Sequence, residues 1–329
     1  MTVLVTGSAG HLGEALMRRL PGEGRGVRGL DAKPGPFVDV VGSVADRAVV
    51  RSALSGVEAV LHAATLHKPH VGTHSRQDFI DTNVTGTLTL LEEAVTAGVR
   101  AFVCTSTTSA FGRALIPGPG QPAAWITEEV VPRPRNVYGA TKVAAEDFCE
   151  LVHRDHGLPC LILRTSRFFP EADDHDQRRS AYDDLNLKVN ELLYRRVDLE
   201  DVVTAHLGAI ERAAELRFGR YIVSATTSLE PSDLALLRTD APRVVARHHP
   251  GYERLFAERG WRMLPEIERV YVNDRARCDL GWKPRYDFAA ALRALQEGRD
   301  PRSPLAREIG AKGYHDAPVG PYTQRSGAV

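Results

Sequence analysis

Val3-Leu4-Val5-Thr6-Gly7-Ser8-Ala9-Gly10-His11-Leu12-Gly13 lies almost at the start of the chain, and its reading decides the fold. Three apolar residues in a row suit a strand buried on both faces. Leu12, Ala15, Leu16 and Leu20 then recur at helical spacing, so a strand runs through a glycine turn into a helix. Glycines at 7, 10 and 13 each have a mechanical reason. The first allows the tight turn, the second lets backbone approach a pyrophosphate, and the third lets helix and sheet pack closely. The helix N-terminus adds unpaired N–H groups and a partial positive charge. Gly7, Ala9, Gly10, His11, Leu12 and Gly13 are therefore the expected contacts of a dinucleotide. Asp31 ends the second strand pattern about twenty residues on, where a carboxylate accepts hydrogen bonds from ribose hydroxyls and repels a 2′-phosphate. NAD is expected over NADP, with Lys33 weakening that preference.

Outward from this turn, short apolar runs alternate with helical patterns. Strands are expected at 27–30, 37–41, 57–62, 101–104 and 159–163, and helices at 46–54, 78–97 and 138–156. Residues 112–135 read as a loop rich in proline and glycine. Such alternation predicts parallel strands joined by crossover helices, hence an α/β fold with a doubly wound, Rossmann-type sheet. The rhythm breaks after Arg164: 166–193 read as polar and irregular, a helix resumes over 195–214, and 220–224 reads as a further strand. The expected division is a dinucleotide-binding domain over 1–165, rejoined by 195–224. A smaller C-terminal substrate lobe takes 166–194 and 225–298, and 299–329 form an irregular tail.

Composition excludes several classes. Lys plus Arg and Asp plus Glu number 42 each in 329 residues, so no global field draws the chain to nucleic acid or an anionic membrane. No apolar run reaches membrane-span length, and no signal peptide is expected at Met1. Cys104, Cys149, Cys160 and Cys278 form no Cys-x-x-Cys pair and read as buried, inert thiols of the reducing cytoplasm. His67, His70 and His74 are spaced like metal ligands, yet Pro69, Gly72 and the lack of a nearby acid favour a loop touching substrate, with no metal. His248-His249-Pro250, with Arg243 and Arg247, reads as a solvated or interface loop.

Tyr138 and Lys142 stand four apart at the start of a helix and so share a face. A phenol titrates at about 10 in water, too high for a base at neutral pH. A lysine ammonium and an oxidised nicotinamide nearby favour the phenolate, which can take a proton from a substrate hydroxyl. Thr105-Ser106-Thr107-Thr108-Ser109 follow a strand, where hydroxyls meet the ligand crevice of an open parallel sheet.

The glycine turn, Asp31, His62-Ala63-Ala64, Asn83–Thr87, Thr105–Gly112 and Tyr138–Lys142 occur together in this order. The chain resembles the extended short-chain dehydrogenase/reductase family, the NAD-dependent epimerase/dehydratase group, strongly over its first 165 residues. Weaker likeness continues at Val197–Val202 and in Cys278-Asp-Leu-Gly-Trp-Lys-Pro284. The resemblance implies Tyr138 as acid/base and Lys142 on the nicotinamide ribose, lowering the tyrosine pKa. It implies Thr107 as the catalytic hydroxyl, with Ser106 and Thr108 close enough to exchange roles. It also implies that His62, Ala63 and Ala64 line the cofactor, supported by Asn83. Gly42 is followed by Ser43, not the Asp that meets adenine in many members.

Arg167 stands where sugar-nucleotide epimerases carry Asn, and Arg164–Glu171 resembles a segment of uronate dehydrogenases. An arginine there can grip phosphate or a carboxylate. With Arg167, the expected substrate contacts are Thr108 and His67. The leading function is a sugar or nucleotide-sugar epimerase, 4-epimerase-like; a simple dehydrogenase of a sugar, uronic acid or other small hydroxy compound is close behind. Dehydratase ranks lowest, since Thr108-Ser109 replace the usual Asp-Glu. A non-catalytic NAD-sensing protein is the third reading, and a homodimer through the helices at 83–97 and 138–156 is expected.

Overall fold

The computed structural model describes residues 1–114, 116–173 and 176–312. The first half runs β1 (Thr2–Thr6), α1 (His11–Arg19), β2 (Gly26–Asp31), β3 (Val40–Val41), α2 (Arg47–Ala53), β4 (Ala59–His62) and α3 (Arg76–Phe79). A π-helical stretch at Ile80–Thr85 leads into α4 (Gly86–Thr96), followed by β5 (Ala101–Thr107), β6 (Ala124–Ile126), α5 (Val137–His156) and β7 (Cys160–Thr165). The second half holds α6 (Asp176–Ala181), α7 (Asp184–Glu191), α8 (Leu199–Leu216), β8 (Phe218–Val223), α9 (Leu234–Leu237), α10 (Ala241–His248) and α11 (Tyr252–Ala257). It ends with β9 (Arg269–Tyr271), α12 (Asp274–Asp279), α13 (Phe288–Gln296) and α14 (Pro304–Ile309).

Seven parallel strands form one sheet in the order β3-β2-β1-β4-β5-β7-β8. From β1 the chain first builds outward through β2 and β3, then returns to β4 on the other side. The crevice between β1 and β4 is thus the switch point at which open α/β sheets bind ligands. Each face of the sheet carries its own core. Leu12, Leu16, Val203 and Ala209 of α1 and α8 cover one side. Leu90, Leu91, Cys149 and Val152 of α4 and α5 cover the other. A third apolar cluster, centred on Leu193, Leu237, Val244, Phe256 and Phe288, belongs to the helical C-terminal region.

Several expectations are corrected. The strand expected over 37–41 is only Val40–Val41; Asp39, just before it, accepts a hydrogen bond from Gly29 N (2.7 Å). The helix expected over 78–97 is broken by the π-helical stretch, which buries Asn83. The 112–135 loop contains β6, which pairs with the distant β9. Residues 166–193 are not irregular: α7 buries Leu187 and Val189, with Asp183 capping its N-terminus. The helix expected from 195 begins at Leu199, after the Asp198 cap. The tail expected over 299–329 is helical at Pro304–Ile309, where Ser303 accepts from Ala306 N (3.0 Å). Residues 313–329 lie outside the described part. Cys104, Cys149 and Cys160 are buried, but Cys278 is exposed. Nor are the histidines at 248–249 simply solvated: His248 meets Asp233 at 2.7 Å, and His249 bonds Ser228 at 2.7 Å. Among the described residues no helix is long and apolar enough to cross a membrane.

Behind β5 and β7, Arg164 Nη2 meets Glu146 Oε2 at 2.7 Å, with side chains 3% and 1% exposed. Removing one partner strands the other charge in the interior. Glu146→Ala is expected to cost about 3–5 kcal/mol in urea denaturation; a loss under about 1 kcal/mol would contradict this reading.

Candidate active site

A cleft of about 1080 Å³ opens over the C-terminal ends of the strands and runs from the glycine turn to the C-terminal region. Its first wall is that turn. Gly7 has φ +70, and a Cβ there would meet Ala64 N at 2.7 Å. A Cβ on Gly13 would come within 1.9 Å of the Gly7 carbonyl oxygen. Gly7, Ala9, Gly10, His11, Leu12 and Gly13 all line the cleft, as do Ala63, Ala64 and Asp31. Asp31 is fixed at the end of β2: Oδ2 accepts from Ala9 N (3.0 Å) and Oδ1 from Lys33 N (2.9 Å). Its remaining lone pairs stay available for hydroxyl donors. The first-turn N–H groups of α1 have no acceptor within the helix. This backbone cradle, unpaired donor set and fixed carboxylate fit a dinucleotide.

Three residues expected at the cofactor, Asn83, Lys142 and His62, do not line the cleft. Asn83 spends its amide on protein: Oδ1 accepts from Leu66 N (2.8 Å) and Thr65 Oγ1 (2.9 Å), while Nδ2 donates to Leu66 O (2.8 Å) and Thr141 Oγ1 (3.0 Å). It ties the wall after β4 to α5. Lys142 is 1% exposed and is not among the residues lining the cleft. His62, expected beside Ala63, is also fully buried and bridges Thr6 Oγ1 (2.8 Å) and Thr87 Oγ1 (2.9 Å). Thr87 donates to Asn83 O (2.7 Å), so it must accept from His62 Nε2, leaving Nδ1 to accept from Thr6. Burial, aided by the Lys142 charge, pushes the His62 pKa down to about 3 and keeps the ring neutral.

The second wall carries the reactive hydroxyls. Thr107 ends β5 and accepts from Ser109 N at 3.1 Å, and Tyr138 stands in the first turn of α5. Asn136 caps that helix by accepting from Gly139 N (3.0 Å), which fixes where Tyr138 stands. Thr107, Thr108, Tyr138 and His67 line the cleft, and the His67 and Tyr138 rings lie 6.5 Å apart. Ser106 is set apart from this pair because its hydroxyl donates to Glu146. Burial pushes the Tyr138 pKa up to about 12, against the opposing hydrogen bond from Thr107.

Beyond Tyr138 the cleft is strongly charged. Arg167 lines it but is drawn into a network, with Nη1 2.5 Å from Asp173 and 3.5 Å from Glu191. Arg195 (2.5 Å) and Arg196 (2.8 Å) meet the same Glu191. Burial raises the Glu191 pKa, yet Arg195, Arg167 and Arg196 outweigh it and hold the carboxyl well below the usual range. Arg167 is therefore an anchored wall residue. Lys68, absent from the sequence expectations, lies in this wall, where burial and then Arg167 and Arg195 push its pKa down to about 7. Arg178, Arg195, Arg135, Arg269, Glu171 and Lys312 also line the cleft without a sequence motif to flag them. Among the described residues no three His, Cys, Asp or Glu side chains group as a metal site.

The seven-stranded parallel sheet with helices on both faces defines an α/β protein of the doubly wound class. Residues 3–223 match the model of the NAD dependent epimerase/dehydratase family, and the chain belongs to it. Protein y4nG of Sinorhizobium fredii is 34% identical over 169 residues, 50% of this chain but only 40% of y4nG. The 3-beta-hydroxysteroid dehydrogenase of Mycolicibacterium neoaurum is 27% identical, with 88% of this chain and 89% of that protein covered. UDP-glucose 4-epimerase of Rhizobium meliloti is also 27% identical, covering 88% and 94%. A short-chain dehydrogenase/reductase superfamily protein of Agrobacterium tumefaciens, solved with bound NAD, shares the fold. Its TM-score is 0.63 at 24% identity, covering 94% of this chain and 97% of that one.

Gly13→Ala is expected to weaken NAD binding at least about tenfold in calorimetry, because the Cβ and the Gly7 carbonyl cannot share the space. Unchanged affinity would remove the turn from the site.

Proposed function

We propose that the chain is an NAD-preferring enzyme that oxidises a secondary alcohol of a sugar-class substrate, with Tyr138 as acid/base. The Thr107–Tyr138 hydroxyl pair, on the cleft wall facing the dinucleotide turn, is the observation that carries this reading. Asp31 favours an unphosphorylated ribose, hence NAD. An oxidised nicotinamide bound there supplies the hydride acceptor and a positive charge. Thr107 orients the substrate oxygen and donates to the developing Tyr138 phenolate. Lys142, buried one helical turn beyond Tyr138, favours the phenolate by its nearness.

A charged far wall suits a polar, anionic substrate such as a nucleotide-sugar or sugar acid better than an apolar one. Epimerisation, in which hydride returns to the substrate, is the leading outcome. Lys68 and Arg178 beside the anchored Arg167 favour the second reading, dehydrogenation of a sugar acid with release of reduced cofactor.

Wild-type protein is to be tested with NAD and a panel of UDP-sugars, free sugars and uronic acids. Reduced nicotinamide is read by absorbance and epimer formation by NMR. Tyr138→Phe should lower turnover at least about a thousandfold while leaving NAD affinity within about twofold; a fully active variant overturns the assignment. Thr107→Val removes the hydrogen bond that favours the phenolate. Its alkaline-going pH–rate limb is therefore expected to move to higher pH, along with a fall in kcat. A limb that stays put, or moves to lower pH, would exclude this role for Thr107.

A further inference from the structure

The family match ends at residue 223, yet the chain later returns to the dinucleotide turn. α14 buries Ile309 in the same core as α1 and α8. Two polar contacts fix it there: Ser303 N donates to Asp198 Oδ2 (3.0 Å), and Glu308 meets Arg18 of α1 at 2.6 Å. Gly310, at φ +59, then turns the chain back across the start of α1. Lys312 is thereby delivered to the rim of the cleft. Its Nζ donates to Ala9 O at 2.9 Å and pairs with Glu14. Its backbone N lies 3.3 Å from His11 Nε2 and 3.2 Å from Glu171 Oε1. His11 and Glu171 themselves meet at 2.9 Å.

Ala9 and His11 belong to the turn whose first-helix donors face a pyrophosphate. Glu14 and Glu171 bring two carboxylates to the same rim, which by themselves would oppose a diphosphate. Lys312 places an ammonium among them, on the backbone of the anion-binding turn. We infer that Lys312 is a pyrophosphate-binding residue, and that the segment from Ser303 to Lys312 is a strap completing the dinucleotide site from the far end of the chain. This rests on the proposed reading of the turn as a dinucleotide site. The ligand group recognised is the diphosphate common to NAD and ADP, not the adenosine.

Full-length protein and its Lys312→Met and Lys312→Arg variants are to be titrated calorimetrically with NAD, ADP and adenosine. Lys312→Met should weaken NAD and ADP by about tenfold, the size of one charge-assisted contact, and leave adenosine unchanged. Lys312→Arg should stay within about threefold of wild type. Equal affinity of Lys312→Met and wild type for NAD and ADP overturns the assignment, and so does an equal loss for adenosine. Should Lys312→Met fail to fold, amide hydrogen exchange of the wild type decides. NAD should slow exchange at residues 304–312, and no protection there overturns the strap. Failure of the wild type to bind NAD would instead defeat the dinucleotide reading, and the strap with it.

Discussion

Helix α1 lies directly on the turn that follows β1, with nothing between them: a single methyl on Gly13 would sit 1.9 Å from the Gly7 carbonyl oxygen. That contact sets the angle at which α1 leaves the sheet and points its unpaired N–H groups over the switch point between β1 and β4. Asp31 reaches the same place because β2 pairs with β1 and its carboxylate is tied to Ala9 N. The crevice, its positive potential and its ribose acceptor all follow from one close approach of backbone to backbone.

Around this approach the interior controls charge. His62 is kept neutral between two threonines, its pKa pushed down to about 3 by burial and then by the neighbouring Lys142. Burial pushes the Tyr138 pKa up to about 12. Across the cleft, Asp173 and Glu191 meet Arg167 and Arg195, while Glu191 also meets Arg196. That network holds Arg167 and Arg195 in place along the cleft lining.

Much of this was legible in the sequence, for local reasons. The strand–glycine–helix order, Asp31 and the Tyr138–Lys142 spacing depend on residues close together, where periodicity and turn chemistry speak directly. Legibility ended where long-range contacts decide. Nothing near Arg167 reveals that it will pair with Glu191, and the β6–β9 pairing joins segments far apart in the chain. Asn83 looked like a cofactor contact because the resemblance placed it near one; only the π-helical stretch shows its amide turned to Leu66 and Thr141. Residues 299–329 read as an irregular tail because prolines and glycines surround the short helix, Pro304–Ile309, that Ser303 caps.

The most direct test is a crystal structure of the protein soaked with NAD. The account predicts the pyrophosphate on the first-turn N–H groups of α1 and the adenosine ribose on Asp31. It also predicts the nicotinamide ring in the cleft beside Thr107 and Tyr138. A dinucleotide bound elsewhere, or bound with its nicotinamide away from Tyr138, would contradict it.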